Sequence, residues 1–295
     1  MNADNTPTHV LQQIADRLDE FPPELRKAAT YLLENRNAIG VGSIHAIAEA
    51  AKVKANTLVR LSRLLGFDGY EAFRSPFRDN IIQGKDNFPD RARWLQSLAK
   101  GGETARIYSD MAATMLGNIE RTYSGARPAD IKRAADAIVR SRRTYVLGVG
   151  ISHSVATNFA YLANMALDKV LALPSAGGVP LDGLVRAGNK DVLLAMTFKP
   201  YRREVVEAVN VSLEQGLTVI AISDSAASPI VRRAQHAFVV PTDTPQFFPS
   251  IVAVAAFMET LMAFVIADAD PQAIRNIGQF HERRHGMGIY WDEKG

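Results

Sequence analysis

Residues 145–154 read YVLGVGISHS, an apolar run that turns through two glycines into a stretch of helical pattern. A near-continuous apolar run of this kind describes a strand covered on both faces. Similar runs occur at Val170–Leu173, Val192–Thr197, Val219–Ser223 and Phe238–Val240. Amphipathic stretches of helical length separate most of them: Ser152–Leu167, Arg202–Gln215, Ser228–Ala234 and, last, Ser250–Asp268. Strands alternating with helices predict an α/β doubly wound, five-stranded parallel sheet with right-handed crossovers.

Upstream the period is helical throughout. Val10, Leu11, Ile14 and Leu18 begin it, and Leu25, Ala28, Ala29, Leu32 and Leu33 continue it behind Pro23. Gly40 and Gly42 end that region. Ser43 is a good N-cap for a helix through Ile47 and Ala48, and a further helix runs from about Ala55 to Leu65, stopped by Gly66. Tyr70, Phe73, Phe77 and Ile81 mark another. The chain thus divides into an all-α N-terminal domain (1–84), a polar linker (85–103) with one helical piece around Trp94, an α/β ligand-binding domain (104–270) opened by helices near 104–123 and 129–141, and a polar C-terminal tail (271–295).

Of 295 residues, 47% are hydrophobic and 22% charged, which suits a packed core and not a disordered chain. The absence of cysteine excludes disulfides, thiolate metal sites and a cysteine nucleophile, and fits a cytoplasmic protein. No secretory signal or membrane span is expected, since Glu259 interrupts the longest apolar run.

Charge is uneven. Residues 1–51 carry four Lys/Arg and seven Asp/Glu, whereas 52–78 carry Lys52, Lys54, Arg60, Arg63, Arg74 and Arg78 against Asp68 and Glu71. A clustered positive patch suits a phosphate backbone. The stretch Ser43–Gly66, SIHAIAEAAKVKANTLVRLSRLLG, reads as two short helices around a tight connection, the pattern of a helix-turn-helix. Its second helix would present Lys54, Asn56, Thr57, Arg60 and Arg63 to double-stranded DNA, with Lys52 in the connection ahead of it as a further cation and Leu58, Leu61 and Leu65 in the core.

IAEAAKVKANTLVRLSRLLGFDGYEAFR resembles the N-terminal domain of the RpiR family of bacterial transcriptional regulators. The matching positions are Ile47, Ala48, Ala51, Val53, Thr57, Arg60, Leu65, Gly66, Phe67, Gly69, Tyr70 and Phe73; Lys54 stands where that family usually has serine. The second domain resembles the sugar isomerase (SIS) domain. The resemblance implies a regulator, not an enzyme, that binds an operator and senses a small anionic metabolite, a sugar phosphate or a sugar acid.

The ligand site is expected at two loops. In the first, Gly148 and Gly150 allow close backbone approach, and Ser152 and His153 open a helix whose N-terminus favours an anion. The second corresponds to the SIS loop S-x-S-G-x-T-x-E and here reads Thr197-Phe198-Lys199-Pro200-Tyr201-Arg202-Arg203-Glu204. Thr197 and Glu204 are kept, while Lys199, Pro200 and Arg202 replace Ser, Gly and Thr. Side-chain cations thus stand where the family has a backbone-and-hydroxyl cradle. Ser223, in the loop after the fourth strand, completes the set.

Other chemistries are weighed on the same residues. His281-Glu282-Arg283-Arg284-His285 spells H-E-x-x-H, yet lies in a polar segment without a third ligand, so no metal is expected. Ser152, Asp224 and His236 follow hydrolase order, but the elbow's second glycine is Ser154. His153 replaces the third glycine of a dinucleotide fingerprint, which disfavours NAD, and no cofactor is expected. A phosphosugar isomerase using Glu204 or His153 as base is the alternative reading. Paired DNA half-sites call for a homodimer or homotetramer.

Overall fold

The computed structural model describes residues 7–83 and 88–291. The chain divides into two compact units: Met1–Met115 with Asp243–Pro249, and Leu116–Thr242 with Ser250–Gly295.

The first unit is helical: α1 (Pro7–Asp16), α2 (Pro23–Glu34), α3 (Arg36–Val41), α4 (Ile44–Ala50), α5 (Ala55–Leu64), α6 (Tyr70–Gln83), α7 (Phe88–Lys100) and the start of α8 (Thr104–Gly125). One core gathers Val10, Ile14, Leu25, Leu32, Ile39, Ile47, Leu58, Leu61, Phe73 and Phe77. Pro23 opens α2, and the Ser43 hydroxyl accepts the Ala46 N–H at 3.2 Å to cap α4, both as expected. The region between Gly40 and Gly42 is not a plain break: α3 runs through Gly40. The span expected as a linker contains α7, which buries Trp94 and Leu98 completely.

The second unit continues with α9 (Pro128–Arg140), β1 (Thr144–Gly148), α10 (Ile151–Asn164), β2 (Val170–Leu173), β3 (Val192–Met196), α11 (Arg203–Glu214), β4 (Thr218–Ser223), β5 (His236–Val239), α12 (Val252–Asp268) and α13 (Pro271–Gly286). All five strands pair in parallel, in the order β2-β1-β3-β4-β5. Side chains alternate between two cores, as period-two geometry requires. Val146, Leu194, Met196, Ile220 and Ile222 pack on one face with α9, α10 and α12. Tyr145, Leu147, Leu193, Ala195, Val219 and Ala221 pack on the other, with α11 and two 3-10 turns at Pro180–Leu184 and Val231–Arg233. The second of these turns is all that forms of the helix expected at Ser228–Ala234.

Helix α12 sinks Val254, Phe257, Met258, Leu261 and Val265 into the core, so most of its apolar surface is internal. Among the described residues no single helix is long and apolar enough to cross a membrane. The stretch expected as a tail carries α13, whose N-cap Asp270 accepts the Ala273 N–H at 3.1 Å ahead of Pro271.

Candidate DNA-reading helix and effector crevice

The connection between α4 and α5 is closed by its own backbone. Lys52 stands at φ +55°, its N–H on the Glu49 carbonyl at 3.0 Å, while the Val53 N–H reaches the Ala48 carbonyl at 2.9 Å. This pair of bonds is a Schellman motif. Helix α5 ends in the same way, with Gly66 at φ +88°, its N–H on Arg63 and the Phe67 N–H on Ser62. Leu58, Leu61 and Leu65 are buried, and Arg17 donates to the Leu64 carbonyl at 3.0 Å, placing a cation at the negative end of α5.

The opposite face of α5 is polar. Lys52, Lys54, Asn56, Arg60 and Arg63 are exposed and Thr57 is half-buried. Asn56, Arg60 and Arg63 share one face by helical spacing. Among the described residues, no carboxylate pairs with Lys52, Lys54, Arg60 or Arg63. Lys54 takes the N-cap position without a side-chain capping hydrogen bond; its carbonyl takes the Thr57 N–H at 2.8 Å. Arg74 has a different role. It is buried, on Glu71 at 3.3 Å and the Gly40 carbonyl at 3.2 Å, and so fastens α6 to α3 and leaves the positive patch.

In the second unit strand order reverses between β1 and β3, and a doubly wound sheet binds ligands beyond its strand ends at such a point. Gly148 registers with Met196, and Met196 with Ile222, so the loops after β1, β3 and β4 leave the sheet side by side. A side chain at Gly148 would put its Cβ 2.3 Å from the Ser152 carbonyl oxygen; only glycine lets α10 start so close to β1. Gly150, at φ +66°, is the N-cap of α10. The N–H groups of the first turn open toward the strand ends, as at any helix N-terminus. Ser152 is buried there, and His153 Nδ1 lies 3.3 Å from the Gly148 carbonyl, leaving Nε2 outermost.

The β3–α11 loop brings Thr197, Lys199, Arg202 and Glu204 to the same edge, next to Ser223. The Thr197 hydroxyl accepts the Arg202 N–H at 3.0 Å, and the Ser223 hydroxyl donates to the Thr197 carbonyl at 2.6 Å. Both are therefore engaged in shaping the loop. Arg202 bonds Glu204 at 2.7 Å, and this contact holds the Glu204 carboxyl below its ordinary range. Lys199 Nζ stands 3.9 Å from Asp224 and lies over the Tyr201 ring at 6.0 Å.

Three residues escape the sequence reading of the site: Tyr201, Asp224 and Ser228. The Tyr201 hydroxyl is buried beside Asp224, Ser225 and Ser228, and its pKa is pushed up by that burial and then by the Asp224 charge. The Tyr201 Oη and the Ser228 Oγ are both enclosed and lie within reach of one another and of Ser225 and Asp224 without a well-aligned hydrogen bond. Asp224 and Ser228 lie in the S-D-S-x-x-S-P run after β4 and Tyr201 in the 197–204 loop, so each stood in a segment already singled out but outside the expected ligand set.

The competing chemistries fare differently. His281 and His285 lie on α13 with Nε2 atoms 3.1 Å apart, and among the described residues no group of three His, Cys, Asp or Glu side chains could hold a metal. His236 begins β5 opposite Ile220, three residues back from the Ser223–Val239 pair. It thus lies about 10 Å from the strand ends where Ser152 sits.

Residues 8–84 match the helix-turn-helix domain of the rpiR family, and residues 137–267 match the SIS domain. The HTH-type transcriptional regulator HexR of Pseudomonas aeruginosa is 26% identical over 82% of this chain and 82% of its own. The HTH-type transcriptional regulator RpiR of Escherichia coli K12 is 26% identical over 73% of this chain and 71% of its own. Among solved structures, the sugar isomerase domain of an RpiR transcription factor from Sphaerobacter thermophilus aligns at TM-score 0.56 and 23% identity, over 60% of this chain and 99% of that one. Vibrio vulnificus NanR, solved with ManNAc-6P, aligns at TM-score 0.55 and 17% identity, over 96% and 100%.

The chain therefore joins a helix-turn-helix DNA-binding domain to an SIS domain. It belongs to the RpiR family of HTH-type transcriptional regulators and is a regulator, not an isomerase.

Proposed function

We propose that this regulator reads an operator with α5 and that a small anionic metabolite, a sugar phosphate or a sugar acid, binds the strand-end crevice and changes operator affinity. The observation that carries the effector half is the convergence of the α10 N-terminus with Lys199 and Arg202 where strand order reverses. The helix end supplies N–H groups and a positive dipole end, and the guanidinium suits a planar or tetrahedral oxyanion. In this reading the ligand set is Gly150, Ser152, His153, Thr197, Lys199, Arg202, Glu204 and Ser223. Thr197 and Ser223 act by holding the loop. The relative solved with ManNAc-6P supports a sugar-derived effector.

The DNA half is supported by the unpaired cations of α5. Asn56 and Arg60 would reach base edges, with Lys52, Lys54, Thr57 and Arg63 on phosphates and neighbouring edges. Exposed apolar side chains such as Leu116, Tyr123 and Ile274 are available for a homodimer or homotetramer, which half-site recognition favours.

Fluorescence anisotropy with an operator duplex tests both halves. Arg60→Ala and Asn56→Ala are each expected to weaken operator binding by about 1–3 kcal/mol. Arg202→Ala should keep ligand-free operator binding and lose the effector response. Effector titrations of Arg202→Ala that overlay wild type would show the crevice to be misplaced.

A further inference from the structure

The H-E-x-x-H segment lies near the end of α13, outside the DNA-reading helix and the strand-end crevice. Positions i and i+4 share a helix face, so His281 and His285 project side by side. Both are exposed. Their Nε2 atoms are 3.1 Å apart, and the two rings meet edge to face with centroids 4.5 Å apart. With both rings neutral, that separation suits one Nε2–H donating to the other nitrogen. It also suits an ion held between them. Zn–N bonds run about 2.0–2.1 Å, so two nitrogens 3.1 Å apart subtend roughly 100° at a shared ion. That angle lies between the cis angle of a square plane and the tetrahedral angle, the two geometries that nitrogen-ligated copper, nickel and zinc adopt. The Nε2 proton that the ion displaces moves to Nδ1 of the same ring, so no charge is left over.

The chain beyond α13 frames the pair. The Gly288 N–H reaches the His285 carbonyl at 2.9 Å and the Ile289 N–H the Arg284 carbonyl at 3.2 Å, with Gly288 at φ +62°. This Schellman turn carries Tyr290 back against both imidazoles, its ring centroid 4.7 Å from His285 and 5.6 Å from His281. Of the two arginines between the histidines, Arg283 is two residues from each and does not face them. The Arg284 guanidinium lies over the Phe280 and Tyr290 rings and donates to the Tyr161 hydroxyl of α10. The imidazoles are thus packed in place before any ion arrives, and little side-chain freedom remains to be lost on binding.

We propose that His281 and His285 form a two-nitrogen chelate for a divalent transition ion, Cu²⁺, Ni²⁺ or Zn²⁺, that pins the last turn of α13 beneath Tyr290. Imidazole nitrogen suits these ions, whereas Mg²⁺ and Ca²⁺ take oxygen ligands. Two protein ligands make neither the closed four-ligand site of a structural zinc nor the three-ligand site of a catalytic one, so water completes the coordination. The ion fastens a helix end and takes part in no reaction.

Calorimetric titration of the full-length protein with Cu²⁺, Ni²⁺, Zn²⁺ and Mg²⁺ tests this. A saturable site is expected for the three transition ions, tightest for Cu²⁺, and none for Mg²⁺. His281→Gln and His285→Gln should each weaken that site at least about tenfold, and the double substitution should abolish it. His45→Gln, in α4 and outside the pair, should leave it unchanged. Electron paramagnetic resonance of the Cu²⁺ form should show coupling to two imidazole nitrogens in wild type and to one fewer in either single variant. Hydrogen exchange over residues 281–290 should slow when Zn²⁺ is added to wild type and not when it is added to the double variant. Either single variant binding as tightly as wild type overturns the chelate, and so does a double variant that binds like wild type. No saturable binding of any of the three ions up to about 1 mM overturns the site itself.

Discussion

Replacing Gly148 and Gly150 in turn by alanine separates two physical demands made by one turn. At Gly148 the demand is space: the new Cβ would lie 2.3 Å from the Ser152 carbonyl oxygen and 2.6 Å from its carbonyl carbon. Ordinary contact begins near 3.4 Å, so α10 must retreat from β1 by about 1 Å or the strand must bend. Both neighbours are backbone and neither can rotate away. Forced overpacking of this kind costs about 3 kcal/mol, at the upper end of its usual range. At Gly150 no atom lies within 4 Å of the built Cβ, and the demand is the backbone angle, φ +66° with ψ −129°. An L-residue there costs about 2 kcal/mol whatever its size. Hydrogen exchange of peptides covering β1 and α10 reads this unit by itself. Gly148→Ala should speed exchange of the most protected amides roughly 150-fold, and Gly150→Ala roughly 30-fold. Serine at Gly150 should match alanine, whereas serine at Gly148 should be worse than alanine. Exchange of Gly148→Ala at the wild-type rate would show that α10 does not start against β1, and would remove the argument that aims its N-terminus into the crevice.

Two further outcomes are expected. Lys54→Ser supplies the missing hydroxyl cap of α5 and should stabilise the helical unit by about 1 kcal/mol, read as slower exchange in α5. It also removes a cation from the DNA face, so the salt dependence of operator binding should fall by about 0.9 in log–log slope if Lys54 neutralises one phosphate. His236 titrates in the other unit: burial holds its imidazole below the ordinary 6.5, and the Arg133 charge adds to this. The folded value lies under the unfolded one, so the stability that depends on a neutral His236 is complete above pH 6.5 and is lost as pH falls through the folded value. Urea midpoints followed from about pH 8 to about pH 5 should decline on the acid side, and His236→Gln should flatten that decline.

Most of the sheet was readable because its strands are buried on both faces and therefore appear as unbroken apolar runs. β3 and β4 shift by one residue from the expected Val192–Thr197 and Val219–Ser223, and β2 not at all. What escaped detection had weak local signals. Gly40 and Gly42 look like helix stops, yet Gly40 is buried inside α3, where its carbonyl takes the Arg74 guanidinium. Residues 228–234 look amphipathic, but Pro229 and a short apolar register leave only a 3-10 turn. Helix α13 is polar along most of its length, and its start is marked instead by Asp270-Pro271, a cap and first-turn proline in a stretch read as tail. The tight connection at Lys52 was legible, but its left-handed residue was not, because a lysine and not a glycine occupies that position.

At the two sites the residue types were legible and their pairing was not, and the pairing distinguishes how each would recognise a partner. Among the described residues no carboxylate pairs with the exposed cations at α5, so their attraction to a phosphate backbone would be uncompensated and strongly screened by salt. In the crevice each cation has a carboxylate near it. An exposed pair such as Arg202–Glu204 holds together by less than about 1 kcal/mol, so an arriving anion could share the guanidinium without a large penalty. Charge alone gains that ligand little, because Glu204 repels it while Arg202 attracts it. Selection would then fall to the geometry of the crevice, which salt does not screen. A sequence displays the same Lys and Arg letters in both places. Only the positions of Asp224 and Glu204 in space separate a surface suited to collecting polyanions from a crevice suited to discriminating among small molecules.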